Sequence, residues 1–421
     1  MFFDYFVEYN RYLNVLGIAV VLAVAYVFSL NRKRINHRLV ISAFLMLFAV
    51  GALVLKTLPG QWVVERIADG VGHIYRAGDA GIKFLFGGLS SSDGAWGPLF
   101  AIQVLPLIIF FGAFMALLFH YGVVQWVVSI LAKIFRPLFG TSGAETLCTV
   151  ANTFLGQTEA PLLIRNYLET MTRSEIFLVM VAGMGTMSGS IIAIYAKMGV
   201  PVVHMLCASV MAVPSTILIA KIMVPETEQP ETASGAKAEM EVRSHNMLEA
   251  IAIGALDGLT LVLNIAAILL AFIALIFVLN VVLESGCLYA NRVLSWMGSE
   301  WLMPTLSLQY IFGWVFMPIS WMMGTGPEMA RVAEIIGVKL SVNELIAYQD
   351  MLSAHLSTRS TMLLTYALCG FANFSSIGLQ IGGIGALAPS RRSLLSAFGF
   401  RALLGGTLAN ILSTMVAGLL V

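Results

Sequence analysis

Residues 152–161 concentrate polar side chains in a part of the chain that is otherwise apolar. They include two amides, two hydroxyls, the carboxylate of Glu159, a glycine and a proline. Glycine and proline so close together argue against one continuous helix, and irregular backbone inside a membrane persists only where protein buries it or where it lines a wet cavity. Since an ionisable residue in such a place usually marks a functional site, we expect Glu159 to bind a ligand. The alternative is a loop just outside the bilayer.

A similar set of polar residues recurs in the second half of the chain. Glu159 precedes Ser188 by 29 residues (188 − 159), and Glu344 precedes Asn373 by 29 residues (373 − 344). Carboxylates accept hydrogen bonds from hydroxyl and ring N–H groups, whereas amide side chains both donate and accept. Together they suit a neutral ligand with many donors and acceptors. The sequence has neither a run of arginines to clamp a phosphate nor a Walker A glycine loop, which argues against phosphorylated substrates and an ATP-driven pump.

The composition is that of a polytopic membrane protein. Of the 421 residues, 59% are hydrophobic and only 11% are charged, whereas about a quarter of the residues in a soluble domain are charged. The mean hydropathy is +0.88. A net charge of +1 without a basic block indicates no nucleic-acid partner. The four cysteines and six histidines are scattered without metal-ligand spacing, so we expect no cofactor and no zinc or haem site.

Apolar runs predict eight helices that cross the lipid bilayer. Basic residues at 32–34 and 391–392 place the adjoining span ends in the cytoplasm, so both termini are expected outside it. Residues 61–87 alternate apolar and charged residues with a helical period, which predicts an amphipathic helix on the membrane surface, followed by a loop at 90–97. The predicted spans are 12–31, 39–55, 98–119, 176–196, 202–220, 258–283, 360–390 and 402–421.

Two segments are apolar but consist of pieces too short to cross a bilayer. Residues 141–175, interrupted at 156–159, predict a re-entrant hairpin that enters from the inside. The chain from 301 to 348, interrupted at Pro318 and at 324–327, predicts a second hairpin that enters from the outside. Each precedes a span rich in glycines and polar residues, and inverted repeats with broken helices are typical of secondary transporters. The predicted fold is therefore an all-α membrane protein with eight transmembrane helices, two re-entrant hairpins of opposite orientation and interfacial helices.

This interpretation divides the chain into six regions. Residues 225–247, which include Pro, Glu, Thr, Ser, Gly and Lys and almost no large apolar residue, predict a mobile cytoplasmic linker between the two repeats. The regions are 1–97 (two spans and the interfacial helix), 98–140 (the third span and the helix after it), 141–224 (first repeat), 225–247 (linker), 248–300 (sixth span) and 301–421 (second repeat).

Three motifs resemble those of the concentrative nucleoside transporter family. They are Gly-Gln-Thr-Glu-Ala-Pro at 156–161, Asn-Glu-Leu-Ile-Ala-Tyr at 343–348 and Ala-Leu-Cys-Gly-Phe-Ala-Asn-Phe-Ser-Ser at 367–376. The resemblance covers nearly the whole chain and includes the eight-span layout of the bacterial members. It implies nucleoside import across the bacterial inner membrane by a homotrimer, with both termini periplasmic, in which hairpins and broken helices move as an elevator across a scaffold formed by the spans at 98–119 and 258–283.

The same resemblance implies which residues bind the substrate. One group contacts the nucleobase and another holds the ribose hydroxyls, with Phe371 close to the substrate. The nucleobase group is Gln157, Thr158 and Glu159 with Ile191 as an apolar neighbour, and the ribose group is Glu344, Asn373 and Ser376.

The resemblance also implies a sodium site between the first hairpin and the break in the following span. Its ligands would be the side chain and carbonyl of Asn152, the carbonyl of Leu155, the hydroxyl and carbonyl of Thr186, and the carbonyl of Met187. Thr186 stands where we expect serine and keeps the hydroxyl. The Thr-Glu-Ala-Pro sequence at the tip favours sodium, because proton-coupled relatives typically depart from it.

Two alternatives remain at this point. The first keeps the fold but couples transport to protons, with Glu159 or Glu344 as the carrier, since burial can raise the pKa of a carboxyl group. The second is an intramembrane hydrolase, for which Ser188 and His204 are the one conceivable pair of nucleophile and base, on different spans and without a supporting motif. We therefore expect a transporter and not an enzyme.

Overall fold

The computed structural model describes residues 8–91, 99–233, 235–236, 244–298 and 302–421. Within these ranges the chain is helical and contains no β-strand. The helices, numbered in chain order, are α1 (Arg11–Val27), α2 (His37–Lys56), α3 (Leu58–Phe86), α4 (Phe100–Gln103), α5 (Pro106–His120), α6 (Val123–Phe139), α7 (Gly143–Ala151), α8 (Arg173–Gly185), α9 (Gly189–Met198), α10 (Val202–Met223), α11 (Met247–Trp296), α12 (Leu308–Met322), α13 (Met329–Ser341), α14 (Glu344–Ser353), α15 (Thr358–Leu368), α16 (Phe374–Leu387) and α17 (Arg392–Leu420).

Eight stretches of described helix are long and apolar enough to cross a membrane. Their number equals the prediction, but the two sets differ in one place. The predicted span 360–390 is not among the eight: residues 369–373 divide it into α15 and α16, of 11 and 14 residues, whereas the shorter break at 186–188 leaves Arg173–Met198 as one of the eight. The helix α11 instead supplies two of the stretches, Met247–Ala267 and Ile273–Trp296.

The longest helix, α11, has 50 residues. At about 1.5 Å per residue, such a helix is about 75 Å long, whereas the hydrocarbon core of a bilayer is about 30 Å thick. It must therefore be steeply inclined or project beyond the membrane. The predicted span 258–283 covers only its middle, because Asp257 and Glu284 bound the apolar run without ending the helix.

The amphipathic segment forms α3, close to the predicted range 61–87. Its N-terminus is capped by Thr57, whose hydroxyl accepts from the backbone N–H of Gly60 at 3.2 Å. Residues 92–98, which include most of the predicted loop 90–97 and the first residue of the predicted third span, lie outside the described residues.

Residues 141–175 turn back on themselves. A capping box of Ser142 and Glu145 begins α7, and a second one of Thr172 and Glu175 begins α8. The Ser142 hydroxyl donates to the Glu175 carboxylate, so the two ends of the segment meet. The turn after α7 leads through residues 152–159 into a short 3-10 helix, Ala160–Ile164. That this hairpin is re-entrant in a membrane stays a prediction.

The second hairpin consists of α13 and α14. The Asn343 side chain at its tip accepts from the backbone N–H of Ile346 at 3.1 Å and so caps α14. At its base, the Glu328 carboxylate accepts from the backbone N–H and the hydroxyl of Ser357, both at 2.7 Å. The predicted interruption at Pro318 is wrong, because Pro318 lies inside α12, a continuous helix that packs along α13. A proline removes one backbone hydrogen bond, which neighbouring packing can outweigh.

Each hairpin is followed by a broken helix. α8 ends at Gly185 and α9 begins after Ser188, while α15 ends at Leu368 and α16 begins after Asn373. Ser188 and Asn373, which immediately precede the second helix of each pair, are 185 positions apart (373 − 188). Glu159 and Glu344 are separated by the same distance in sequence (344 − 159). The helices that come next, α10 and α17, pack against one another in the interior. The two halves therefore share one order of elements.

The first part of the predicted mobile linker is packed against the protein. The Thr232 carbonyl accepts from the N–H of Gly143 at 2.8 Å, and its hydroxyl accepts from the N–H of Ala144 at 3.1 Å. Arg136 donates to the carbonyl of Ala233 at 2.6 Å. The polar residues that favour a mobile coil can also accept hydrogen bonds from the open N–H groups at a helix terminus. Only the tertiary structure shows whether such a segment is mobile or packed. Residues 234 and 237–243 of this linker lie outside the described residues.

Candidate functional site

A cavity of about 570 Å³ lies between the two hairpin tips, the two broken helices, and helices α5 and α11. Its volume is within the range of about 300–1,000 Å³ that is typical of small-molecule sites. It extends from the hairpin tips to His120, Gln125 and Ser244 near one end of α5 and α11. It is lined by all eight residues predicted to bind substrate: Gln157, Thr158, Glu159, Ile191, Glu344, Phe371, Asn373 and Ser376.

The Glu344 carboxylate is held by two side chains from other elements. Its Oε1 accepts from the Tyr195 hydroxyl of α9 at 3.2 Å, and its Oε2 accepts from Asn373 Nδ2 at 3.0 Å. Asn373 Oδ1 in turn accepts from the backbone N–H of Ser376 at 2.9 Å and so caps α16. Glu344 is 7% exposed and Asn373 3%. A carboxylate oxygen has more than one lone pair, so Glu344 can still accept from a ligand in the cavity.

Gln157 connects the first hairpin tip to the same helix. Its Nε2 donates to the Ser376 hydroxyl at 3.2 Å, and its Oε1 accepts from Gln380 Nε2 at 3.1 Å. Gln380 is fully buried and also donates to the carbonyl of Met180 at 3.0 Å. The amide orientation of Gln157 is therefore fixed from both sides, which presents a preset pattern of donors and acceptors to a ligand.

Glu159 and Thr158 at the first tip are exposed to the cavity. The Glu159 carboxylate accepts from the N–H of Gly156 within its own turn, at 3.3 Å. Phe371 and Ile191 are half-buried and add apolar surface to the cavity. Charged, amide and apolar groups thus face one space, which matches a ligand with a flat ring and polar edges.

The four residues predicted to bind sodium are buried outside this cavity. Asn152, Leu155 and Thr186 are each 1% exposed, and Met187 is 0% exposed. The carbonyl of Phe154, between Asn152 and Leu155, accepts from the N–H of Gly189 at 3.1 Å. This bond brings the first hairpin tip against the break between α8 and α9, so the two pairs of predicted ligands are neighbours.

The contact region between the first hairpin tip and the break between α8 and α9 has oxygen atoms available for a cation. Asn152 Oδ1 is buried without a hydrogen-bond partner in the described part of the chain. The Thr186 hydroxyl donates to the carbonyl of Ala182 at 2.7 Å, which leaves its own lone pairs open. Carbonyls at the ends of half-helices coordinate sodium in transporters. The donor set therefore fits a monovalent cation, without any cluster of His, Cys, Asp and Glu among the described residues.

Family models match three consecutive parts of the chain. Residues 16–89 match the Na⁺ dependent nucleoside transporter N-terminus, residues 101–202 match a nucleoside recognition domain, and residues 204–418 match the Na⁺ dependent nucleoside transporter C-terminus. The chain belongs to the Na⁺ dependent nucleoside transporter family.

Relatives of this family are similar over the full length of the chain. The nucleoside permease NupC of Helicobacter pylori is 37% identical over 98% of both chains. The sodium/nucleoside cotransporter 1 of Rattus norvegicus is 36% identical over 96% of this chain and 63% of its own. A solved structure of CNTnw in an inward-facing substrate-bound state is 37% identical over 97% of both chains, with a TM-score of 0.87. Membership of this transporter family points to a transporter rather than an enzyme.

Sequence reasoning missed four residues that hold the cavity residues or the adjacent helix breaks in place. Tyr195 and Gln380 hold Glu344 and Gln157, as described above. Lys339 and Asn410 form a buried pair beside the two helix breaks. Tyr195, Gln380 and Asn410 gave no signal in the sequence, because single polar residues are common on transmembrane helices. Lys339 did give one, since a lysine inside an apolar hairpin is costly unless it serves a function.

The structure does not bring the predicted hydrolase pair together. The Ser188 hydroxyl pairs with the Ser190 hydroxyl at 3.1 Å. The His204 ring lies beside Tyr366, with centroids 6.1 Å apart. Because neither side chain contacts the other as nucleophile and base, this alternative has no support in the geometry.

Proposed function

We propose that this chain is a sodium-coupled nucleoside importer of the bacterial inner membrane. One observation carries the proposal: beside a cavity lined by carboxylate and amide groups of both hairpins, Asn152 Oδ1 lies buried at a helix break without a hydrogen-bond partner among the described residues. A nucleoside offers ring N–H groups, carbonyls and ribose hydroxyls, and each of these finds a complementary group in this cavity.

The division of the cavity between two hairpins suggests how a nucleoside lies in it. We place the nucleobase against Gln157, Thr158 and Glu159, with Ile191 as an apolar neighbour and Phe371 close by, and the ribose hydroxyls on the second-hairpin side. There Glu344, Asn373 and Ser376 form one connected hydrogen-bonded group. Because unpaired polar groups in such a site cost about 1–3 kcal/mol each, a ligand without ribose hydroxyls would bind more weakly.

We propose that Asn152, Leu155, Thr186 and Met187 hold the coupling ion. Bound sodium would supply a positive charge at the first tip and would draw Asn152 Oδ1 into a defined position. The carbonyl of Phe154, within the same turn, already links the tip to the break before α9. Ordering this turn would preorganise Gln157 and Glu159 for substrate, which is positive coupling between two sites. The sodium/nucleoside cotransporter among the relatives supports the choice of ion.

We further propose that the two hairpins are re-entrant, with opposite orientations, and that they move with the broken helices as an elevator. The cavity end near His120 and Ser244 lies beside the linker that we place in the cytoplasm, which supports an opening to that side. Both termini would then be periplasmic. The helix α11 presents an apolar face on which Leu270 is 76% and Phe277 68% exposed; we assign it to lipid and to the other subunits of a homotrimer.

The test is uptake of labelled uridine and adenosine into proteoliposomes under an imposed sodium gradient or an imposed pH gradient, each alone. Accumulation driven by sodium at equal pH on both sides is the expected result. Accumulation driven by the pH gradient alone would refute sodium coupling and favour Glu159 or Glu344 as a proton carrier. A folded preparation that binds neither nucleoside would refute the substrate class.

A further inference from the structure

Lys339 is a buried lysine whose ammonium group is bound by neutral oxygen atoms. It lies in the last turns of α13 and is 3% exposed. Its Nζ donates to the carbonyl of Ala367, at the end of α15, at 2.8 Å, and to Asn410 Oδ1 at 2.8 Å. Carbonyls in the last turn of a helix carry partial negative charge and attract cations. The surroundings of this ammonium group thus resemble those of a bound monovalent cation.

Its position corresponds to that of the predicted sodium site in the other half of the chain. The offset of 185 that relates Glu159 to Glu344 also relates Phe154 to Lys339 (339 − 154) and Ala182 to Ala367 (367 − 182). Phe154 lies between the predicted sodium ligands of the first hairpin tip. The Ala182 carbonyl accepts the hydroxyl of Thr186, a third predicted ligand. Gln157 of the first hairpin also packs against Gly183 in the last turn of α8, so in both halves residues of a hairpin lie at the carbonyl end of a half-helix.

Asn410 of α17 connects the two helix breaks. Its Nδ2 donates to the carbonyl of Gly185 at 2.7 Å and to the carbonyl of Cys369 at 2.8 Å. A lysine can only donate, so Lys339 must face the oxygen of the Asn410 amide and thereby directs the NH₂ group to both carbonyls. Gly185 precedes Thr186, and Cys369 lies two residues before Phe371. One amide thus joins the backbone beside the ion ligands to the backbone beside the substrate.

We propose that Lys339 is a tethered cation that occupies, in the second half, the place of the sodium ion in the first, and that it positions both helix breaks through Asn410. Only the first of the two corresponding places then remains open to a cation that can leave. The part that concerns sodium rests on the proposed function. The part that concerns Lys339 and Asn410 rests on their contacts alone.

The test replaces the tethered ammonium by a free one. Purified Lys339→Ala is titrated with uridine and adenosine at saturating sodium, with and without added methylammonium. The variant loses the hydrogen bonds from a charged donor to Ala367 and Asn410, so both helix breaks lose their fixed position. We therefore expect nucleoside affinity to fall about tenfold or more. Methylammonium should restore much of it, whereas tetramethylammonium at equal ionic strength, which is larger and has no N–H, should not. The wild-type protein should respond to neither.

Lys221→Ala is the matched control, because Lys221 is also a buried lysine. It pairs with Glu145 at 2.6 Å near the base of the first hairpin, away from the helix breaks. We expect this variant to lose thermal stability, with no response of its nucleoside affinity to methylammonium. Asn410→Asp is a second variant, used also if Lys339→Ala does not fold. It keeps an acceptor for Lys339 but loses both donors, so sodium and nucleoside affinity should weaken together.

The outcomes separate this inference from the proposed function. Restoration of Lys339→Ala by methylammonium supports the tethered cation, even if the wild-type protein proves insensitive to sodium and the proposed coupling fails. A folded Lys339→Ala that binds nucleosides with wild-type affinity overturns the inference, as does one that methylammonium does not improve. A change in only one of the two affinities in Asn410→Asp overturns the positioning of both breaks.

Discussion

The two hairpins contribute corresponding polar residues to one cavity and its surroundings. They differ in how completely the hydrogen bonds of these residues are formed without a ligand. In the first, Glu159 is open to the cavity with a backbone N–H as its partner, and Asn152 Oδ1 is buried without a partner within the described residues. In the second, Glu344 is buried with two side-chain partners, and Lys339 satisfies the end of the half-helix.

This difference teaches which half can respond to ligands. A buried network whose members are all paired is rigid, whereas an unpartnered buried group gains most when a ligand arrives. The Glu344–Asn373 group is therefore preformed, whereas Asn152 and Glu159 of the first half are the groups that a bound ligand would change most. Four substitutions test this contrast, in order of decreasing expected effect.

Glu344→Gln should weaken nucleoside binding about a hundredfold or more, because two hydrogen bonds from ribose hydroxyls to a charged acceptor are worth about 1.5–3 kcal/mol each. The new NH₂ group would also face the donors of Tyr195 or Asn373. Isothermal titration with uridine, and sodium titration of the same sample, measure both affinities. Sodium affinity should change far less, and an equal loss of both would contradict the placement of the ribose on Glu344.

Glu159→Gln should weaken nucleoside binding about tenfold, since the side chain gains its main partner only when substrate is bound. Because the unliganded protein loses little, the melting temperature should stay near that of the wild type, whereas Glu344→Gln should lower it. Thermal unfolding without ligand compares the two. Equal destabilisation by both substitutions would remove the distinction between an open and a preformed half.

Thr186→Ala should raise the sodium concentration for half-maximal uptake several-fold, because one hydroxyl ligand is lost. Thr365→Ala is the matched control: Thr365 is equally buried and donates within its own helix, to the carbonyl of Thr361 at 2.7 Å, as Thr186 does to Ala182. The control should leave the sodium curve in place. If both variants shift the curve alike, Thr186 is not an ion ligand.

Asp79→Asn should have the smallest effect, about 1 kcal/mol or less. Asp79 of α3 pairs with Lys197 of α9 at 2.9 Å, a contact between the amphipathic helix and the first broken helix. Burial raises the pKa of Asp79, but Lys197 and Lys83 outweigh it and lower that pKa below the ordinary 3.8. The contribution of Asp79 is thus present above the unfolded pKa and is lost as pH falls through the lower folded value.

Thermal unfolding of both proteins from about pH 7 to about pH 3 measures this contribution. The difference between the wild type and Asp79→Asn should shrink at the acidic end, where the carboxyl group becomes protonated. A difference that stays constant with pH would show that the pair contributes through packing and not through charge.

Much of the architecture was predictable because its signals are local. Hydropathy over about 20 residues identifies a span, and glycine and proline mark interruptions, so the helices of the first half and the tip at 156–159 followed from the sequence. The interruption predicted at Pro318 was wrong and the full length of α11 was missed, because packing decides whether a proline or an isolated charge ends a helix. The packed Thr232 shows the same limit for a polar segment.

The sequence by itself indicated a membrane protein with two related halves and singled out Glu159, Glu344 and Asn373, which line the cavity of the structure. Only the tertiary structure decided what holds those residues. Tyr195 is hydrogen-bonded to Glu344, 149 residues away in sequence, and Gln380 to Gln157, 223 residues away. Lys339 is hydrogen-bonded to Asn410, 71 residues away. Local sequence patterns do not predict contacts between such distant residues, because hydrogen bonds between helices depend on how those helices pack.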